Sequence, residues 1–236
     1  MRRTNTSGKE EKEMSKIDID NINKEWARAL EEKGIYSYMI YKPFDDYWNQ
    51  KTKIMVCNLE TYGYDDCGII EVNINQLKDW MKATNITRTT RNTSVFIYAL
   101  QKALSNQKLT QQEIRKTYYQ FDDLVKAMNR ICYMNFRKES NPNVSQDVNN
   151  IIAEVKENKD ILRRFILACE PNIILIGGHL GVNSFNTIFE PEKRLFYDSE
   201  TEYEGIRIIS TKHLSRISYS YIENKIKTII EKGKNA

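Results

Sequence analysis

KIMVCNLETYGYDDCG, Lys53 to Gly68, changes character halfway along. It opens as a short β-rich apolar run and breaks into a loop carrying Asn58, Glu60, Tyr62 and Tyr64. A continuous apolar run of this length, without alternation, is what a strand covered on both faces looks like. Three more such runs follow: ICYMN from Ile131, PNIILIGG from Pro171 and GIRIIST from Gly205. Between them lie segments with helical spacing of apolar residues. DIDNINKEWARALEEKG reads as a helix capped by Asp18 or Asp20 and followed by Gly34; IYSYMIYKPF reads as a short strand or an extended approach. INQLKDWMK is helical, with Ile74, Leu77 and Met81 on one face. NTSVFIYALQKAL starts as a helix at Asn92 or Thr93, after a polar loop TRTTRNTS. TQQEIRKTYYQFDDLVKAMNR reads as one helix, with Thr110 and Glu113 at capping-box spacing. SQDVNNIIAEVKENKDILRRFILAC reads as another, and residues 179–204 as a loop. HLSRISYSYIENKIKTIIEK closes the chain as an amphipathic helix. Alternating strands and helices predict a doubly wound, three-layer α/β/α sandwich around a central parallel sheet of about four strands.

The 236 residues suit one α/β domain, long enough to bury roughly 70% of the surface the unfolded chain would expose. The domain is expected from residue 17 to 236, behind a polar, disordered tail over residues 1–16. A net charge of +4 permits nucleic-acid binding without demanding it. The four cysteines, Cys57, Cys67, Cys132 and Cys169, form no C-x-x-C pair, which argues against zinc or an iron–sulfur cluster. Unpaired thiols and the lack of a secretory leader pattern point to the cytoplasm. No apolar run reaches the ~18 residues needed to cross a bilayer, so no membrane association is expected. Phosphate-loop, dinucleotide-binding and nucleophile-elbow motifs are missing, and no cofactor is expected. Asp65 and Asp66 have no evident partners for a metal site and read as a solvated turn.

In an open α/β sheet, ligands bind beyond the carboxyl ends of the strands. The residues just after the apolar runs are Asn58, Glu60, Tyr62 and Tyr64; Asn135, Phe136, Arg137 and Lys138; Gly177, Gly178 and His179; and Thr211, His213, Ser215 and Arg216. Both histidines of the chain, His179 and His213, fall at such ends.

In order and spacing along nearly the whole domain, these ends resemble the uracil-DNA glycosylase superfamily. That family has a strand ending in a G-Q-D-P-Y-H type motif, a strand ending in asparagine, and a late strand followed by an H-P-S type motif opening a helix. NLETYG, YMNFRK and KHLSRI stand in those places. Glu60 replaces aspartate or asparagine, Thr61 a proline, Gly63 a histidine and Leu214 the second proline. The chain therefore resembles a divergent bacterial or phage-type member, distinct from housekeeping uracil glycosylases.

The resemblance implies a DNA base glycosylase that takes a flipped base and splits its N-glycosidic bond. Glu60 would be the carboxylate beneath the developing oxocarbenium and would orient water. His213 would donate to the leaving base. Asn58, Asn135, Tyr62, Tyr64 and Phe136 would read or stack on the base. Ser215 and Arg216, with Arg88 and Arg91, would contact the DNA backbone. Each has a plainer alternative. Glu60 can be a solvated loop carboxylate, Asn135 a strand-end hydrogen-bonder and His213 only a helix cap. His179 can be structural or a pocket wall, Leu214 a wedge or a core residue. Arg88, Arg91, Arg137 and Lys138 track a backbone or are merely solvated. The competing function is a non-catalytic module on the same fold, holding a base or nucleotide as a sensor or a subunit of a larger complex.

Overall fold

A computed structural model describes residues 7–58, 61–62, 68–82, 87–137, 140–141 and 148–233, with backbone alone at 7–17, 61, 62, 80, 87, 140, 141 and 148. Nine helices and nine strands are described. The first half holds α1 (Ser7–Glu31), β1 (Tyr38–Ile40), β2 (Ile54–Asn58), β3 (Thr61–Tyr62), β4 (Ile69–Glu71), α2 (Ile74–Lys82) and α3 (Thr87–Leu104). α4 (Gln111–Thr117), α5 (Phe121–Met128), β5 (Ile131–Asn135), β6 (Ser140–Asn141), α6 (Val148–Glu157) and α7 (Lys159–Ala168) follow. The chain ends with β7 (Ile173–Gly177), α8 (Gly178–Phe189), β8 (Glu200–Tyr203), β9 (Ile206–Thr211) and α9 (Tyr219–Gly233).

The four apolar runs become four parallel strands in the order β5-β2-β7-β9. Every residue of β2, β5 and β7 is buried, which is why the runs are continuous rather than alternating. The sheet has a fifth strand, β8, antiparallel on β9 at the edge. It departs from the loop expected over residues 179–204, because ETEY is polar and half-exposed and carries no apolar run. Glu204 and Gly205 join β8 to β9 with φ of 49° and 76°, the paired positive angles of a tight hairpin turn. The helices fall into two groups in contact within themselves, one of α1, α6, α7 and α8, the other of α2, α3, α4, α5 and α9. The result is an α/β sandwich with a largely parallel central sheet. Trp26, Tyr47, Phe96, Phe165 and Phe185 fill its core.

Several helix boundaries differ from the expected ones. α1 begins at Ser7, so most of the tail read as disordered continues the helix; its Glu, Lys and Met residues are good helix formers. TRTTRNTS is the first half of α3 and not a loop. The segment 111–128 is two helices broken at 118–120, and 148–168 is two helices broken at Asn158. Both members of each pair face one core, so the apolar spacing runs on across the break. The last helix starts only at Tyr219; before it, Leu214–Arg216 is a separate 3-10 turn. α8 was missed because GHLGVNSFNTIF is poor in helix formers. It forms by packing: a Cβ on Gly181 would lie 2.8 Å from Ile176 Cγ2, so only glycine lets the helix sit this close to β7.

The capping box at α4 is present as expected. Glu113 N–H donates to Thr110 Oγ1 at 3.3 Å, and Thr110 N–H donates to Glu113 Oε2 at 2.8 Å. Thr110→Ala is expected to lower the unfolding free energy by about 1 kcal/mol. Urea denaturation followed by circular dichroism measures it; an unchanged midpoint would mean that α4 is held by packing alone.

Candidate functional site at the carboxyl edge of the sheet

Strand register sets what meets at this edge. Asn58 pairs with Asn135, and Gly177 with Thr211, so the last residues of β5, β2, β7 and β9 lie side by side. Asn58 is buried, and its amide donates to the Tyr133 hydroxyl at 2.9 Å. Burial pushes that hydroxyl up to about 12. Asn135 is buried beside it. The Asn58 carbonyl accepts from Phe136 N–H at 2.9 Å and ties the two strand exits together. Beyond them, β3 and β6 pair in parallel through Thr61–Ser140 and Tyr62–Asn141.

β7 runs into α8 without a connecting loop. Gly177 is the last residue of the strand, and Gly178 takes φ +78°. A Cβ on Gly177 would come within 3.3 Å of Asn58 Oδ1 and 3.4 Å of Leu214 Cγ; one on Gly178 would lie 3.3 Å from His213 Cδ2. The glycine pair is thus a buried strip of backbone on which Asn58, Leu214 and His213 pack closely. The start of α8 faces this same edge, with the partial positive charge of a helix N-terminus.

His213 precedes the 3-10 turn and caps it: Ser215 N–H donates to His213 Nδ1 at 3.3 Å, and Ser215 Oγ lies 2.7 Å from the same nitrogen. An Nδ1 that accepts leaves the proton on Nε2, which is then a hydrogen-bond donor. Burial, and secondarily the charge of Arg216, holds the imidazole pKa below its ordinary value, so the ring is neutral at pH 7. Asn92, buried in α3, donates to the Leu214 carbonyl at 2.8 Å and fixes the turn from beneath.

The structure brings Asn58, Asn135, His213, Ser215 and Arg216 to one edge. Glu60 and Tyr64 lie outside the described residues, as do Lys138, Asp65, Asp66 and Cys67, and Tyr62 is placed by its backbone alone. Phe136, expected to stack on a base, is 2% exposed and belongs to the core. Arg137 is also buried, its Nε 2.6 Å from Glu154 Oε2, and does not track a backbone. Leu214 is buried against Gly177; it is a core residue, not a wedge. Arg91 donates to the Tyr118 carbonyl at 2.9 and 3.2 Å, with its guanidinium 4.3 Å from the Tyr118 ring centre. It ties α3 to the α4–α5 connection, while Arg88 is exposed. Cys57, Cys132 and Cys169 are buried free thiols.

Sequence reasoning missed the Asn92 bond and a ring pair, His179 stacked on Tyr197 at 3.7 Å. The pair had one signal: Phe196 and Tyr197 are adjacent aromatics in a polar segment.

No protein-family model matches the chain, and no curated protein matches it. Among the described residues, no helix is long and apolar enough to cross a membrane, and no group of three or more His, Cys, Asp or Glu side chains could hold a metal ion.

Proposed function

We propose that this protein recognises a nucleobase at the carboxyl edge of its sheet and hydrolyses the bond between that base and its sugar, in the manner of the uracil-DNA glycosylases, whose three-layer α/β/α fold it is taken to share. The observation that carries this reading is the juxtaposition of Asn58, Asn135 and the neutral His213 along the Gly177–Gly178 strand exit. Amide side chains carry a donor and acceptors and match the edge of a pyrimidine. Glycine at both positions lets Asn58, Leu214 and His213 close in on the strand end, where a Cβ would press on them at 3.3–3.4 Å.

The chemistry follows from where charge develops. As the N-glycosidic bond breaks, the base gathers negative charge, and the Nε2–H of His213 donates to it. The sugar becomes oxocarbenium-like, and Glu60 is the carboxylate assigned to stabilise it and to orient water. Ser215 and Arg216 would meet the phosphate of the extruded nucleotide. DNA is the proposed partner.

One observation favours the non-catalytic alternative: the Asn58 amide is already engaged by the Tyr133 hydroxyl, so a base must share or replace that contact. Mass spectrometry of free base, released from single- and double-stranded DNAs carrying uracil, deaminated purines or bulky modified pyrimidines, separates the two. Wild type is expected to release one base class, and Glu60→Gln none while keeping its circular dichroism spectrum. Release by neither, with a thermal shift from a free base, would make the protein a binding module.

A further inference from the structure

The loop between α8 and β8 presents aromatic side chains to solvent, yet hydrogen bonds tie it to α8, β9 and α9. Phe196 is 67% exposed and Tyr197 36%. Beneath them, Leu195 is buried as an anchor, and its backbone makes two bonds with the Asn186 side chain, both at 2.9 Å. Phe196 N–H donates to Ser199 Oγ at 3.1 Å, and Ser210 Oγ donates to the Phe196 carbonyl at 2.6 Å. The Tyr221 hydroxyl accepts from Lys212 N–H at 3.0 Å and donates to Asp198 at 2.6 Å, joining the loop to the residue beside His213. A loop that merely connected two elements would not need this many ties to hold two aromatic side chains in water.

Tyr197 lies flat on His179, the rings 8° from parallel. His179 directly follows Gly178, where an added Cβ would lie 3.3 Å from His213 Cδ2, so the stacked pair begins one residue from the proposed site. The chain segments on either side of it carry a small excess of positive charge. Asp198 is paired with Lys225 at 2.9 Å and Glu190 with Lys159 at 3.2 Å, leaving Lys193, Arg194 and Lys212 against Glu192 and Glu202.

We propose that Tyr197, backed by His179 and flanked by Phe196, is a stacking platform for an unpaired base adjacent to the pocket, and that the protein prefers single-stranded to double-stranded nucleic acid. This rests on the nucleobase reading of the pocket and extends it to the neighbouring nucleotide. Aromatic faces grip unpaired bases irrespective of sequence, whereas a duplex hides those faces.

The test is fluorescence anisotropy of the full chain with three labelled DNAs containing only normal bases: a 12-nucleotide single strand, the same strand with abasic residues throughout, and the duplex. Wild type is expected to bind the base-bearing strand best. Tyr197→Ala should weaken that binding about 10-fold and leave abasic binding unchanged, and Tyr197→Phe should restore it. Lys212→Ala should weaken both single strands alike. Equal affinity for base-bearing and abasic strands, an equal loss on both in Tyr197→Ala, a preference for duplex, or no binding to any strand would each overturn the platform. None of these probes carries an excisable base. Base preference without any base release would therefore refute the glycosylase and leave the platform standing, and the reverse pattern would refute the platform alone.

Discussion

His213→Ala is expected to slow base release by about 10²- to 10³-fold, the usual effect of removing one donor from a site of developing negative charge. The substitution should barely alter the fold. His213 keeps part of its surface in solvent while its ring is partly desolvated against the strand exit, and Asn92 still holds the Leu214 carbonyl from beneath. Single-turnover rates, with urea midpoints alongside, separate the two effects. A loss of rate matched by a large loss of stability would reduce His213 to a cap. The pH dependence gives a second check. Burial depresses the imidazole pKa in the folded chain, so the unfolded chain takes up this proton first. Its contribution to stability is complete above the ordinary imidazole value of about 6.5 and is lost as pH falls below it. Protonating Nδ1 would also set an N–H against the Ser215 N–H that it now accepts. Base release should therefore hold from pH 8 through about 6.5, the ordinary imidazole value, and decline only further towards acid, where the folded ring takes up its proton. A rate that climbs towards acid would make the imidazolium the working form.

The second large effect contrasts two glycines with nearly the same positive φ. Gly178 has φ +78° and Gly205 φ +76°. Alanine at either place bears a left-handed backbone, about 1–2 kcal/mol of strain. Around Gly205 a new methyl meets nothing within 4 Å, whereas at Gly178 it lies 3.3 Å from His213 Cδ2. Both variants should lose similar stability in urea, but only Gly178→Ala should lose activity, by tenfold or more, because His213 must move. Similar activity in the two variants would show that the contact between Gly178 and His213 has no bearing on catalysis.

These contrasts show why some of the site could be read from the chain and some could not. Asn58, Asn135 and the His213 turn were legible because each directly follows an apolar run, and a parallel sheet sends all such ends to one edge. Phe136 follows the same rule and fails it, since an aromatic one residue past a strand can turn into the core as readily as into a pocket. Arg91 looked like a loop cation and is a helix residue bonded to Tyr118, a partner 27 positions away. Local sequence carries no record of such a contact.

By itself the amino-acid sequence determined the four buried strands, their parallel pairing, the capping box at Thr110 and the clustering of polar residues at the strand ends. Those properties depend on apolar runs, on spacing and on side-chain chemistry, all of which are local. Only the tertiary structure decided that residues 178–189 form a helix, that ETEY joins the sheet edge, that Leu214 and Phe136 are core, and that Tyr197 lies on His179. Each of these depends on the close approach of segments distant along the chain, as when a missing Cβ at Gly181 lets α8 settle against Ile176. Packing at that range overrides local propensity.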